Sequence, residues 1–355
     1  MTAVSRAFSG RLLLLSASMA IACGHPGGLI GLKKNVEVSP FEDVGFVNDL
    51  KMYPSFRFPK DDFTGRILPS SIRKRTPEHH ILECMYMTSE EGLFYYKQPK
   101  DGDETTCGIY MFSEPDQNIE IQFNYFDVPC ENKGLVAIVD GWELNGQLFP
   151  NLEDHPLPLK KRFNEFCGRR KIKHTFTSSQ NVALIQYRVP SRGSSFGFSI
   201  RFIKNQSPCN VLFQADETYT LRNYGKRSNC SLSTLFPAAV KVVSLNVGMS
   251  PMAGRGMEVE TGTIYKCAKR GLDDYVQIGG SPGLDNANLE VADSVCGVSS
   301  KPGKAADLIA CETTTVRLVS GGAFDNSITV SLKRLTENDL NAYMSAVCLP
   351  DDISK

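Results

Sequence analysis

Ile119-Glu120-Ile121-Gln122-Phe123-Asn124-Tyr125 sets an apolar side chain at every second position with a polar one between. Period two marks a strand with one face on a core and the other in water. The alternation returns at Phe196, Phe198, Ile200 and Phe202, and again at Ile328, Val330 and Leu332. Turn signals separate such runs at short intervals: Asp140-Gly141, Asn145-Gly146, the stretch from Gly279 to Gly283, and Gly321-Gly322. Many short strands with frequent turns predict an all-β chain built of sandwiches. Helix signals sit only towards the ends. Ser39-Pro40-Phe41-Glu42 reads as a capping box with proline at the first helical position. Thr336-Glu337-Asn338-Asp339 precedes Leu340, Tyr343, Met344 and Val347, which share one helical face and would bring Cys348 back to the body of the fold.

The cysteines divide the strands into two sets. Cys84, Cys107, Cys130 and Cys167 are followed by Cys209, Cys230, Cys267 and Cys296 with similar gaps, and Cys311 and Cys348 remain. A repeated series predicts two copies of one stapled domain and an oxidising compartment. The repeat extends to other side chains. Val182–Tyr187, a Ser-Arg-Gly turn and Phe196–Ile200 parallel Val316–Val319, a Ser-Gly-Gly turn and Ile328–Leu332, each reading as a β-hairpin that closes its domain. Ten cysteines allow roughly 945 pairings, an extension of the counting rule for smaller sets. If neighbours pair in order, the repeat selects Cys84–Cys107, Cys130–Cys167, Cys209–Cys230, Cys267–Cys296 and Cys311–Cys348. Each such loop would stabilise its domain by about 3 kcal/mol in the chain-entropy picture.

Outside these units, Arg6 and Arg11, the apolar run from Leu12 to Leu15, and the small residues Ala20, Ala22 and Gly24 read as a secretory signal over residues 1–23. A lipidated Cys23 is the weaker reading, because Ala20 stands where such sites carry a large aliphatic. Residues 24–79 form an N-terminal arm without periodicity, 80–205 a first domain and 206–355 a second with its C-terminal helix. No stretch is long enough for a membrane span. Lys plus Arg and Asp plus Glu number 39 each, so no long-range field selects nucleic acid or an anionic membrane. Basic clusters stand at Arg73-Lys74-Arg75, a candidate processing point, and at Lys160-Lys161-Arg162 and Arg169-Arg170-Lys171, which read as solvated faces.

Two sequential disulfides, an Asp-Gly turn about ten residues past the third cysteine and a closing hairpin resemble a CUB domain, a jelly-roll β-sandwich. The narrower signals are Asp140-Gly-Trp142-Glu-Leu144-Asn-Gly146-Gln-Leu-Phe149-Pro150, Asp154-His-Pro-Leu-Pro158, Ser178-Ser-Gln-Asn-Val182, Pro208-Cys-Asn-Val211, Asn229-Cys-Ser231 and Gly283-Leu-Asp285. From Cys84 to Cys348 these resemble the corticotropin-releasing factor (CRF) binding protein family, with the same ten-cysteine order. The resemblance implies two tandem CUB-like domains in a secreted, extracellular carrier. Such a carrier sequesters CRF-family peptide hormones (CRF and urocortin, or CRF-like diuretic hormone) and limits receptor activation. It also implies a glycan on Asn229. In the family, an Arg shortly before the first cysteine and an Asp two residues after it bind peptide; here those places hold His80 and Tyr86. A tandem-CUB interaction module with another peptide, protein or glycan ligand is the alternative.

Neither reading needs chemistry, a cofactor or a metal. Gly279-Gly-Ser281-Pro-Gly283 fits the letters of a nucleophile elbow, but Pro282 and the Gly/Asp/Asn run after it cannot open the helix an elbow requires. His25, His79, His80, His155 and His174 lack zinc spacing. Asp140 stands at a turn where some CUB domains hold calcium, yet Lys133 opposes a cation there, and Asp101-Gly-Asp103-Glu104 has no ligand series behind it. Met85 and Met87, alternating beside Cys84, read as core residues, with an adaptable apolar contact as the second reading. Asn205-Gln-Ser207 is a weaker sequon than Asn229 because Pro208 follows it.

Overall fold

The computed structural model describes residues 78–348 apart from 103–104, 215, 249–261, 303–304, 338 and 340–341. The signal segment, the arm with its capping box, Cys23, His25 and Arg73-Lys74-Arg75 lie outside the described residues.

The first domain is two sheets packed face to face. One runs in the order Glu78–His80, Gly92–Lys97, Ser195–Lys204, Gln117–Val128, Gly168–Arg169, with Thr175–Thr177 also on Gln117–Val128. The other runs Met85–Thr88, Cys107–Phe112, Val182–Arg188, Leu135–Asp140, Phe163–Phe166. Ladders are antiparallel except at the first margin, where Glu78–His80 and Met85–Thr88 each lie parallel to their neighbours. Between the sheets Ile119, Ile121 and Phe123 are buried as their alternation predicts. Tyr125 departs from it and is 46% exposed. The register on Ser195–Lys204 shifts there, Gly197 facing Tyr125 and Phe198 facing Phe123, so Asn124 is an extra residue. Such a bulge reverses the facing of everything beyond it, and Phe126 and Val128 turn inward instead.

The second domain repeats the plan. Asn210–Leu212, Cys230–Thr234, Thr313–Val319, Tyr275–Ser281 and Glu290–Ser299 form one face, with Ile264–Tyr265 on the last of them. Thr218–Arg222, Ser327–Arg334, Ala238–Val247, Asp307–Ala310 and Ala346–Val347 form the other. The end of Glu290–Ser299 also pairs with Ala238–Val247, which joins the faces along one side. Ile328, Val330 and Leu332 point into this core together with Val276, Ile278 and Val316. Gly279 has a steric reason: a Cβ there would meet the Glu290 carbonyl oxygen at 2.2 Å. Five disulfides are formed, Cys84–Cys107, Cys130–Cys167, Cys209–Cys230, Cys267–Cys296 and Cys311–Cys348. Among the described residues no helix is long and apolar enough to cross a membrane.

Two local expectations change. Val182–Arg188 and Ser195–Lys204 are not a hairpin, since each is a central strand of a different sheet, with a ladder on both sides. The same is true of Thr313–Val319 and Ser327–Arg334. The connecting turns therefore cross the core edge, which satisfies more backbone groups than an isolated pair would. At the C-terminus the capping signal is used: Asp339 Oδ2 accepts from Thr336 N–H at 2.8 Å and Oγ1 at 2.6 Å. Val347 is not on a helix: Ala346–Val347 pairs parallel with Asp307–Ala310, and this strand delivers Cys348 to Cys311.

Candidate peptide-binding edge and domain junction

In both domains the strand after the first cysteine lies at the margin of its sheet, parallel to the strand that begins at the second. Met85 faces Gly108 one residue past Cys84 and Cys107, and Asn210 faces Ser231 one residue past Cys209 and Cys230. Met85, Tyr86 and Met87 are thus the counterparts of Asn210, Val211 and Leu212. The middle residue of each triplet turns inward, Val211 fully buried and Tyr86 packing edge-on to Phe94 at 6.3 Å. Burial, with Glu90 and Glu83 nearby, pushes the Tyr86 phenol up.

The outward residues have opposite fates. Leu212 is buried with Tyr110, Leu184 and Trp142 from the first domain and Leu284 from the second. Its backbone is satisfied by one side chain: Asn181 Oδ1 accepts from Leu212 N–H at 3.0 Å and Asn181 Nδ2 donates to its carbonyl at 2.8 Å. Asn210 Nδ2 donates to the Asp154 carbonyl at 2.8 Å. Met85 and Met87, expected as core, are 58% and 45% exposed. Leu82 beside them is 88% exposed. Met87 pairs with Tyr110, so it projects from the outer face of its sheet. The spacing of alternate methionines does not reveal this, because facing outward and facing inward share period two.

Around Leu212 the domains join through a hairpin, Trp142–Leu144 and Gln147–Phe149, whose Asn145-Gly146 turn has φ of 52° and 82°, as a type I′ turn requires. Trp142 Nε1 donates to the Met111 and Ala183 carbonyls at 3.0 and 3.1 Å, seating the hairpin on the first domain. Gln147 Oε1 accepts from Leu284 N–H at 2.6 Å, tying it to the second. Arg317 forks onto Asp154, with Nη2 to Oδ1 at 2.6 Å and Nε to Oδ2 at 3.0 Å, and reaches Glu153 at 3.1 Å. Asp154 carries no solvent exposure on its side chain.

Residues 77–204 match the N-terminal domain of corticotropin-releasing factor binding protein, and residues 211–341 match its C-terminal domain. This chain belongs to the corticotropin-releasing factor binding protein family. The corticotropin-releasing factor-binding protein of Xenopus laevis is 30% identical over 295 residues, spanning 82% of this chain and 87% of that protein. The Homo sapiens protein is 30% identical over 274 residues, spanning 77% and 82%. The solved CUB1-EGF-CUB2 domains of rat MASP-1 are similar at a TM-score of 0.23 and 13% identity, across 71% of this chain and 100% of that one.

His80 and Tyr86, which flank the first cysteine, both sit on strands at this first margin. His80 is exposed and edge-on to Tyr95 at 5.8 Å, while Tyr86 is turned towards the core. His79 stacks on Phe94 at 4.7 Å and lies 3.5 Å from Glu90. Asn229 is half-buried at the junction, where its side chain hydrogen-bonds Asp154.

The chemically suggestive groups are structural in this family member. Ser281 is fully buried on a strand and donates to the Gly283 carbonyl at 2.8 Å. Asp140 accepts from Ser179 N–H at 2.7 Å and Oγ at 2.5 Å and lies 3.5 Å from His155 Nε2. Ser179 thus bonds the carboxylate and not the imidazole, which is the wrong order for a nucleophile relay. Among the described residues no group of three His, Cys, Asp or Glu side chains is placed to hold a metal. Burial alone would raise the Asp140 carboxyl, but the hydrogen bonds from His155 and Ser179 bring it below its ordinary 3.8. A carboxyl depressed in the folded state stabilises above its unfolded pKa and loses that contribution as pH falls through the folded value. Asp140→Asn is therefore expected to lower the melting temperature at pH 7, with the gap to wild type closing below pH about 4. A gap independent of pH in thermal melts would assign the effect to packing instead.

Lys160-Lys161-Arg162, read as one solvated cluster, splits. Lys160 and Lys161 are exposed, whereas Arg162 is fully buried and donates from Nε to the Asp140 carbonyl at 3.0 Å and from Nη1 to the Pro150 carbonyl at 2.8 Å. A third donor reaches the Phe149 carbonyl at 3.3 Å.

Proposed function

We propose that this chain is a secreted carrier that binds a CRF-family peptide hormone along the open margin of its first domain and withholds it from its receptor. The observation that carries the reading is the unequal fate of the two equivalent margin strands. Asn210–Leu212 is a docking strand already occupied by the first domain, while Met85–Thr88 keeps the same parallel pairing with its outward methionines bare. Met85, Met87 and Leu82 offer flexible apolar contacts suited to the stripe of an amphipathic helix. Names of the relatives support the ligand class, and the disulfides suit an oxidising, extracellular setting. A glycan on Asn229 is part of the proposal; an N-linked sugar leaves one amide N–H free to keep its bond to Asp154.

Titration of the secreted protein with a CRF-like peptide from the same organism tests this. Saturable binding below micromolar peptide is expected, weakened tenfold or more by Met85→Asp with Met87→Asp, a loss of about 1.4 kcal/mol or more. Because both side chains are exposed, the melting temperature should stay unchanged. Absence of binding at micromolar peptide would favour the second reading, a tandem-CUB module for another ligand, which His80 and Tyr86 at the family's charged positions support.

A further inference from the structure

The far margin of the first domain carries a different surface. There Phe163–Phe166 ends one sheet, and Gly168–Arg169 with Thr175–Thr177 ends the other. Lys160, Lys161, Arg169, Arg170, Lys171 and Lys173, all exposed, flank these strands. Chain order disperses them over two clusters, but the sheet margin lines them up, with one strand of four residues, roughly 13 Å, between the groups. Opposing charge is sparse. Glu165 stands between the groups, Asp127 lies 3.8 Å from Arg169, and Asp140 is taken up by Ser179 and His155. Among the described residues Lys160, Lys161, Lys171 and Lys173 have no carboxylate partner. The Arg170 guanidinium carbon lies 5.1 Å from the centre of the Phe166 ring, which holds one cation against the terminal strand. A cavity of about 120 Å³ opens between the two terminal strands, where Lys161, Asn164, His174 and Thr177 point at it. Apolar side chains and the Asp140 carboxylate line it as well, so the anion contacts fall to the exposed cations along the strip and not to the cavity.

The chain as a whole is neutral, so this strip is a local segregation of charge and not a consequence of composition. We infer that the Lys160–Lys173 margin binds a sulfated polysaccharide. A row of flexible, solvent-facing cations on an open margin matches a repeating polyanion. Five disulfides point to an oxidising compartment, where that polyanion is an extracellular glycan and not nucleic acid. The strip and the Met85–Thr88 margin lie at opposite edges of one five-stranded sheet, four strand spacings or roughly 19 Å apart. A peptide on one margin leaves the other free, so the inference stands whether or not the peptide reading does.

The test is calorimetric titration of the full secreted chain with a heparin octasaccharide over a series of salt concentrations. Binding at 0.15 M salt is expected, with affinity falling steeply as salt rises. A variant combining Lys160→Gln, Lys161→Gln, Lys171→Gln and Lys173→Gln should bind at least tenfold more weakly, with a salt slope smaller by roughly three to four ions, by analogy with polyanion counterion release. Its melting temperature should match wild type, and Lys269→Gln with Arg270→Gln, exposed in the second domain, should bind as wild type does. No binding at 0.15 M salt, or an unchanged affinity in the fourfold variant, overturns the inference. Polyglutamate binding as tightly as heparin also overturns it, in favour of an acidic protein partner.

Discussion

Arg162→Met is expected to destabilise the first domain by about 3–5 kcal/mol, the cost of stripping the partner from buried polar groups. Methionine keeps most of the volume and removes every donor. The carbonyls of Asp140, Phe149 and Pro150 would then be left inside the protein without their bonds. Burial pushes the Arg162 guanidinium down to about 10, with Asp140 opposing that shift, so it is charged at neutral pH and matches these carbonyls as a three-way clamp. The clamp also fixes the hairpin that meets the second domain. Urea unfolding monitored by Trp142 fluorescence reads the change directly; a loss below about 1 kcal/mol would mean that water replaces the guanidinium there.

Arg317→Met should have a comparable effect at the junction, about 3–5 kcal/mol, because it abandons Asp154 without a counter-charge in a site closed to solvent. Burial raises the Asp154 carboxyl against the pull of Arg317 and of the Asn229 hydrogen bond, so removing Arg317 raises it further, with only Asn229 still opposing. The loss is accordingly greatest at neutral pH and shrinks as pH falls towards the ordinary 3.8, where a protonated Asp154 no longer needs the cation. Calorimetry should show one wild-type transition separating into two as the domains uncouple. Adding Asp154→Asn should recover part of the loss, which non-additivity of a contacting pair predicts. A single unchanged transition would show that Asn181, Asn210 and the hairpin hold the junction without the ion pair.

Much of this architecture is legible along the chain. Alternation places Ile119, Ile121 and Phe123 inside because side-chain facing follows backbone pleat, a local property. Asn145-Gly146 announces its turn for an equally local reason, since both residues must take positive φ. Legibility ends where a partner strand intervenes. Tyr125 leaves the core only because the bulge at Asn124 meets Gly197, more than seventy residues on. The C-terminal capping signal starts a turn as read, yet Val347 joins a strand because Asp307–Ala310 offers it backbone partners. Lys161 and Arg162 are adjacent cations of the same class, and only the carbonyls gathered by the Gln147–Pro150 return bury one of them.

The sequence by itself determined two disulfide-stapled β-domains and their family, because period-two alternation, turn residues and a repeated cysteine series are all properties of short stretches. That the strand beside each first disulfide is an equivalent margin element emerged only from strand pairing. Which copy is covered was decided only by the tertiary structure. Asn181 and Asp154 come from distant parts of the first domain to satisfy Leu212 and Asn210. Burial of a strand's outer face depends on what is brought against it, so the open methionines of the first margin, like the alignment of cations on the far one, exist only once the sheets have assembled.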